Sequence, residues 1–369
     1  MVVWDAGPTL ADRFRAHAGS SQHLYGYAMR GMAEDWEADG PVREICAGYE
    51  DAPNGAVIQL RLLAGLFRLV LAGHAPELQP YYACLGGDRP PSQGWPVMLE
   101  VMAAHVPELH EALSTAPQTN EVGRSAALLA GLFDLVAETG LHQVRLLELG
   151  ASAGLNLLID SIGYSGTAWR WGPMSSPLQL RGAIEGPVRP QPFAVVDRAG
   201  CDLLPVDANS LEGRQLLTSF VWPFDLHRHA RLAAAFRLAA AHPLRVDGAA
   251  ASRWLPERLA AAPEGPDVLN VVWQSITQLY WSPEEIATVD EVVLEHGREH
   301  TVARVVMEYD PDPALADGLP PAGHTSKPSV RTLLLRPGAE PRRQRLGTAH
   351  DHGIPVRLSP ERVSPQLVP

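Results

Sequence analysis

Residues 144–155 read Val144-Arg-Leu-Leu-Glu-Leu-Gly-Ala-Ser-Ala-Gly-Leu155. An apolar run of strand length, stopped by small residues and followed by helical spacing from Leu155, specifies a strand, a tight turn and a helix start. Small side chains at 150–154 also let a ligand approach the backbone. What surrounds this segment has two grammars. Before Gly140 the chain is helical: Arg61 and Arg68 lie two turns apart on one face and leave Leu62, Leu63, Leu66, Leu69 and Val70 for another. A second helix is expected from near Asn120 to Thr139, with Gly140 as its stop. After it, strand candidates at 193–196, 244–246, 268–272, 302–307, 330–335 and 356–358 alternate with helical segments. That alternation implies a mostly parallel sheet covered by helices. The short loop at 336–342 suits an antiparallel hairpin at the sheet's end. The expected organisation is a helical N-terminal cap over 1–140 and an α/β domain over 141–369.

Three chemistries compete for the turn at 150–154. A dinucleotide fingerprint, G-x-G-x-x-G, fails on spacing. A nucleophile elbow, G-x-S-x-G, matches letter for letter and would make Ser152 a nucleophile, with His350 or His352 as its base. The third is the first loop of an S-adenosylmethionine-dependent methyltransferase, which places an acid two residues before the first glycine; Glu148, Gly150, Ser152 and Gly154 fit it. Context separates the last two. A hydrolase elbow follows several strands and an upstream oxyanion loop, whereas this turn follows the first strand of its domain. A methyltransferase also needs an acid at the end of the second strand for the ribose hydroxyls, and Gly200-Cys-Asp202-Leu-Leu-Pro205 supplies Asp202. Asp247, after the third strand, stands where such enzymes often hold the adenine amino group. Gln274 and Ser275 end the fourth strand, and Glu308 and Tyr309 the fifth. With His350 they are the candidates for substrate contact. The catalytic group itself is not specified.

The charge balance supports a small-molecule substrate. A net charge of −12 opposes nucleic-acid backbones and anionic lipid surfaces. Cys46, Cys84 and Cys201 are scattered, so neither a disulfide framework nor a zinc site is expected. The pair His350-x-His352 lacks an acidic or cysteine partner at metal spacing, and no metal is expected there. Residues 1–5 carry no basic or apolar signal region, and the apolar stretch 56–72 is interrupted by Gln59, Arg61 and Arg68. These features predict a cytoplasmic protein without a membrane span. Oligomeric state is left open.

The strings Gln118-Thr-Asn-Glu-Val-Gly-Arg124, Glu148-Leu-Gly-Ala-Ser-Ala-Gly-Leu-Asn156, Arg198-Ala-Gly-Cys-Asp-Leu-Leu-Pro-Val-Asp207 and Val221-Trp-Pro223 resemble the bacterial domain-of-unknown-function family 2332. The resemblance runs from Ser21 to the His350–Gly353 segment. It implies a Rossmann-like methyltransferase fold, a seven-stranded, mostly parallel sheet with an antiparallel C-terminal hairpin, behind a helical extension. It brings no established reaction. The second strand departs from the methyltransferase pattern, with Cys201 where an aliphatic residue is expected before the acid. In similar methyltransferases an upstream helix closes over the methionine end of the cofactor, so Asn120 and Arg124 join the cofactor candidates, Arg124 as a fork for the carboxylate. The alternatives are the serine hydrolase and a methyltransferase-like protein that binds its ligand without turnover.

Overall fold

The run Gln143–Leu149 forms a strand buried along all but its first residue, which explains its mostly apolar pattern; Arg145 and Glu148 are buried within it. In this computed structural model residues 9–261, 267–310 and 327–363 are described; the N-terminal residues 1–5 read above lie outside them. The helices are α1 (Leu10–Ala18), α2 (Leu24–Glu37), α3 (Pro41–Ile45), α4 (Ile58–Leu71), α5 (Gly94–Ala104), α6 (Val106–Ala112), α7 (Ser125–Thr139), α8 (Leu211–Ser219), α9 (Leu226–Ala241), α10 (Ala251–Ala260) and α11 (Pro283–Glu299). The strands are β1 (Gln143–Leu149), β2 (Gly163–Ser165), β3 (Arg170–Trp171), β4 (Gln179–Arg181), β5 (Ile184–Glu185) and β6 (Ala194–Asp202). They continue with β7 (Asp247–Gly248), β8 (Val268–Ser275), β9 (Val302–Glu308), β10 (Ser329–Leu335), β11 (Arg342–Ala349) and β12 (Val356–Val363).

The main sheet has nine strands, rather than the seven expected, in the order β5-β12-β11-β10-β9-β8-β1-β6-β7. β1 pairs in parallel with β6 on one side and β8 on the other. The chain therefore moves outward from β1 through β6 to β7, then returns across β1 to β8 and β9. Strand order reverses between β1 and β8. Beyond β9 the pairings β9–β10, β10–β11 and β11–β12 are antiparallel, and β5 closes that edge in parallel with β12. The strand β11 carries a mostly polar, alternately exposed sequence, so it lacked the apolar signal that marked its neighbours. In the chain segment that connects β1 to β6 a separate small sheet forms, in the order β3-β2-β4. There Trp171 stacks on Phe193 at 4.5 Å and, with Trp169, meets Phe133 of α7 edge-on, so both indoles serve aromatic packing.

The helix expected after β1 is a short 3₁₀ segment, Leu155–Ser161. Leu155 to Ile159 are all buried, leaving none of the solvent face that a longer amphipathic helix presents. The chain divides at Thr119/Asn120 instead of near 140. The helix α7 goes with the sheet because it packs on β9 and β10. A β-carbon on Gly131 would lie 2.5 Å from the Val305 side chain, so glycine lets α7 approach that closely.

The helical unit comprises the described residues up to Thr119 together with Ser210–Ala230. Its core is built from Phe14, Met29, Met32, Leu62, Leu66 and Phe67, with Trp222 and Phe224 packed against it. The stretch Asn54–Leu71 is long and apolar enough to cross a membrane by composition alone, yet most of it is buried inside the protein. Two of its polar members are satisfied there, Gln59 on His17 at 2.9 Å and Arg61 on the Ala56 and Leu113 carbonyls. Three histidines converge on the 222–224 segment. His23 stacks on Phe224 at 4.4 Å and caps α2 through Nδ1, His17 lies against Trp222, and His229 bonds the Trp222 carbonyl.

Burial depresses all three histidines, His17 to about 4. An unfolded chain takes up these protons near pH 6.5 while the folded unit does not. Stability is therefore unaffected above that pH, falls on acidification, and has lost the whole His17 contribution below about pH 4. Discounted for partial solvent access, His17 contributes about 2 kcal/mol to that loss. Amide exchange in α1 and α2, corrected for its intrinsic rate, should accelerate between pH 7 and pH 5. Unchanged protection across that range would contradict this account.

Candidate functional site

Open α/β sheets form a crevice outside the carboxyl ends of their strands where strand order reverses. Here that place is the loop 150–154 after β1, facing the end of β8. Gly150 (φ 68), Ser152 (φ 53) and Gly154 (φ 71) are all left-handed, which requires glycine at most positions and is uncommon for serine. The loop is tied down along its length. Ala151 N donates to the Cys201 carbonyl (2.9 Å), Ser152 N to Asp202 Oδ2 (2.8 Å), and Val206 N to the Ser152 carbonyl (3.1 Å). Leu155 N donates to Asn120 Oδ1 at 2.9 Å. Asn120 thus caps the segment after the loop, while Glu121 caps the turn that leads into α7.

Asp202 stands at the end of β6, its Oδ1 also accepting from Leu204 N at 2.9 Å. Each carboxylate oxygen retains acceptor capacity beyond these bonds. The next residues, Leu203 and Leu204, are 72% and 56% exposed, an apolar surface beside the acid. Glu148 is fully buried below the loop. Trp273 Nε1 donates to its Oε1 at 3.1 Å, while Oε2 and the Oδ1 of Asn156 are both buried without a donor. Burial pushes the Glu148 carboxyl up to about 8, against the opposing pull of Asn156 and Trp273.

Asp247 is engaged away from the loop: Trp254 Nε1 donates to its Oδ2 at 2.7 Å and Arg258 pairs with the same oxygen. The indole bond and the guanidinium hold its carboxyl below the usual range. Arg124 spends two donors on backbone, Nε on the Asp351 carbonyl (3.0 Å) and Nη1 on the Ser275 carbonyl (3.1 Å). It therefore links the end of β8 to the 350–353 turn. Gln274 and Glu308 come together at the ends of β8 and β9, with Gln274 Nε2 3.1 Å from Glu308 Oε1. Tyr309 donates its hydroxyl to Asp351 Oδ1 at 2.7 Å, and burial together with that carboxylate pushes the phenol up.

His350 lies on a turn and not on a strand; its Nδ1 accepts from His352 N at 3.2 Å. No cluster of three or more metal-ligating side chains occurs among the described residues. Sequence reading passed over Asn156, Trp273, Ile276, Thr277, Arg304 and Asp351. Asn156 and Trp273 stood beside the quoted motifs, but nothing in their spacing marks them as polar partners of Glu148.

The arrangement offers a backbone cradle, an acid at its rim, two buried acceptors beneath it and a second carboxyl at the neighbouring strand end. Such a site suits a ligand with hydroxyl and cationic N–H donors. No curated protein and no solved structure matches the chain. The family described as uncharacterized protein conserved in bacteria (DUF2332) matches residues 9–357, and the chain belongs to this family.

Proposed function

We propose that this protein is an S-adenosylmethionine-dependent methyltransferase acting on a small molecule. The observation that carries the reading is the loop 150–154, left-handed at both glycines, set at the strand-order reversal and bonded through Ser152 N to the acid that ends the next strand. The order β7-β6-β1-β8-β9, all parallel, matches five strands of the doubly wound order 3-2-1-4-5-6 and supports this reading. The residues present fit the cofactor. Asp202 keeps lone pairs for ribose hydroxyls, and Leu203 and Leu204 offer apolar area for a base. The donorless Glu148 Oε2 and Asn156 Oδ1 suit an ammonium. When bound, the cofactor supplies a methyl group activated on a sulfonium. The chain's own tasks are to orient both reactants and to exclude water.

Calorimetric titration tests the reading. S-adenosylhomocysteine should bind the wild-type chain, and Asp202→Ala should abolish the binding while the protein stays folded. At a hundredfold excess over its dissociation constant the ligand should add about 2.7 kcal/mol of stability. A folded protein that binds neither S-adenosylmethionine nor S-adenosylhomocysteine would overturn the assignment. The left-handed backbone of Ser152 also suits a nucleophile elbow, and fluorophosphonate labelling of Ser152 would move the function to a hydrolase.

A further inference from the structure

The Glu308 carboxyl, 1% exposed, has its hydrogen bonds gathered on one oxygen. Oε1 accepts from Gln274 Nε2 (3.1 Å), Thr277 N (3.0 Å), Thr277 Oγ1 (3.1 Å) and Gln278 N (3.5 Å). Among the described residues no hydrogen bond ends on Oε2. Three features hold this asymmetry in place. Ile276 is β-branched yet left-handed at φ 51, and it turns the chain after β8 so that two successive amides aim at Oε1. Backbone strain of this kind persists where the surroundings enforce it, and it clusters at functional sites. Gln274 is fixed in orientation because its Oε1 accepts from Arg304 Nε (3.2 Å) and Nη2 (2.5 Å), and Arg304 is itself paired with Asp290. Thr277, finally, lies against the ligand loop: a β-carbon on Gly150 would fall 2.3 Å from Thr277 Cγ2. The cradle of Glu308 and the loop after β1 are in contact.

The cations around this carboxyl are committed elsewhere, Arg304 to Gln274 and Asp290, and Arg124 to the Ser275 and Asp351 carbonyls. Burial pushes the Glu308 carboxyl above the usual carboxylate range, towards a more effective base. A lone carboxylate oxygen with no cation of its own is matched by an ammonium, through a charge-assisted hydrogen bond. An ammonium, near 10.4 in the lysine case, also gives up its proton far more readily than an alcohol does.

We propose that Glu308 Oε2 is the general base of this site and that the methyl acceptor is an amine, bound there as its ammonium; this rests on the methyltransferase reading above. One proton passes from nitrogen to Oε2 and exposes the lone pair. The N–C bond forms as the S–C bond of the sulfonium breaks, and that bonding pair stays on sulfur as a neutral thioether. The products are a methylated ammonium, the thioether and a protonated Glu308.

The test compares the wild-type chain with Glu308→Gln, in which the side-chain carbonyl can still accept the four donors while the basic oxygen is lost. Thermal unfolding is followed with ethylammonium chloride against potassium chloride at equal ionic strength, with and without S-adenosylhomocysteine. Ethylammonium should raise the wild-type Tm above the potassium control, and Glu308→Gln should lose that rise while binding S-adenosylhomocysteine within about twofold of wild type. Should Glu308→Gln fail to fold, the wild type alone decides. Its ethylammonium affinity should fall at least about tenfold on acidification through the range where Glu308 takes up a proton. No response in the wild type, an equal response in Glu308→Gln, or a response indifferent to pH would each overturn the proposal. Failure of S-adenosylhomocysteine to bind the wild type would count against the cofactor assignment, separately from the ethylammonium result.

Discussion

Glu148→Gln is expected to stabilise the protein, and to do so increasingly as the pH rises. The Glu148 carboxyl titrates near pH 8 in the folded chain because burial opposes its ionised form, against an ordinary value of 4.5. Below pH 4.5 it is protonated in both states, and the substitution should change stability little. Between pH 4.5 and about 8 the unfolded carboxyl ionises while the folded one does not, so the wild-type chain loses stability steadily as pH rises. Glutamine does not titrate and escapes that loss, which reaches on the order of 4 kcal/mol above pH 8. Glutamine can also keep the acceptor for Trp273 Nε1 and replaces the donorless Oε2 by an amide N–H. Urea unfolding at pH 5 and pH 8.5 measures the effect. A difference between the two proteins that does not change with pH would rule out the buried, neutral Glu148. On the function proposed, the same substitution should weaken cofactor binding. A residue that destabilises the resting fold at neutral pH is then retained for its ligand.

Gly150→Val should be the most damaging single change in the loop after β1. Gly150 has φ 68, a conformation that costs an L-residue about 1–2 kcal/mol and a β-branched one more. A β-carbon there would also sit 2.3 Å from Thr277 Cγ2, and relieving such overpacking adds about 1–3 kcal/mol. A loss of about 3–5 kcal/mol is expected in denaturant unfolding. Because Thr277 holds Glu308 Oε1, the displacement should reach the carboxyl at the end of β9. A double-mutant cycle isolates the contact. Gly150→Ala paired with Thr277→Ser, which removes Cγ2 and keeps Oγ1, should recover part of the Gly150→Ala loss. Strict additivity would show that the contact with Thr277 does not limit this position.

How much of this was legible beforehand depends on whether the signal was local. The strand at 143–149, the turn with its glycines and the stop at Gly140 could be read because each is imposed by neighbouring residues: burial on both faces, left-handed backbone, a helix end. Asp202 was found for the same reason, since an acid at a strand end followed by Leu-Leu-Pro is a short-range pattern. The strand β11 was not, because its polar sequence is held by partners on either side and not by apolar periodicity. Asp247 was expected to follow a strand at 244–246, but it opens the two-residue strand β7, and the turning of its carboxyl to Trp254 and Arg258 depends on where α10 packs. The membership of α7 in the sheet unit likewise depends on what Gly131 meets, and that is Val305, far away in the chain.

The sequence by itself determined a strand and a small-residue turn, the acid at the end of the second strand, and a helical region ahead of an α/β region. These are short-range consequences of side-chain size, hydrophobic period and left-handed backbone. Only the tertiary structure decided that strand order reverses beside that turn, that burial raises the Glu148 carboxyl under Trp273, and that four donors gather on one oxygen of Glu308. Desolvation and donor geometry come from residues a hundred or more positions apart in some cases, as between Glu148 and Trp273 with a separation of 125. No local pattern encodes that distance, because it exists only once β1 and β8 lie side by side.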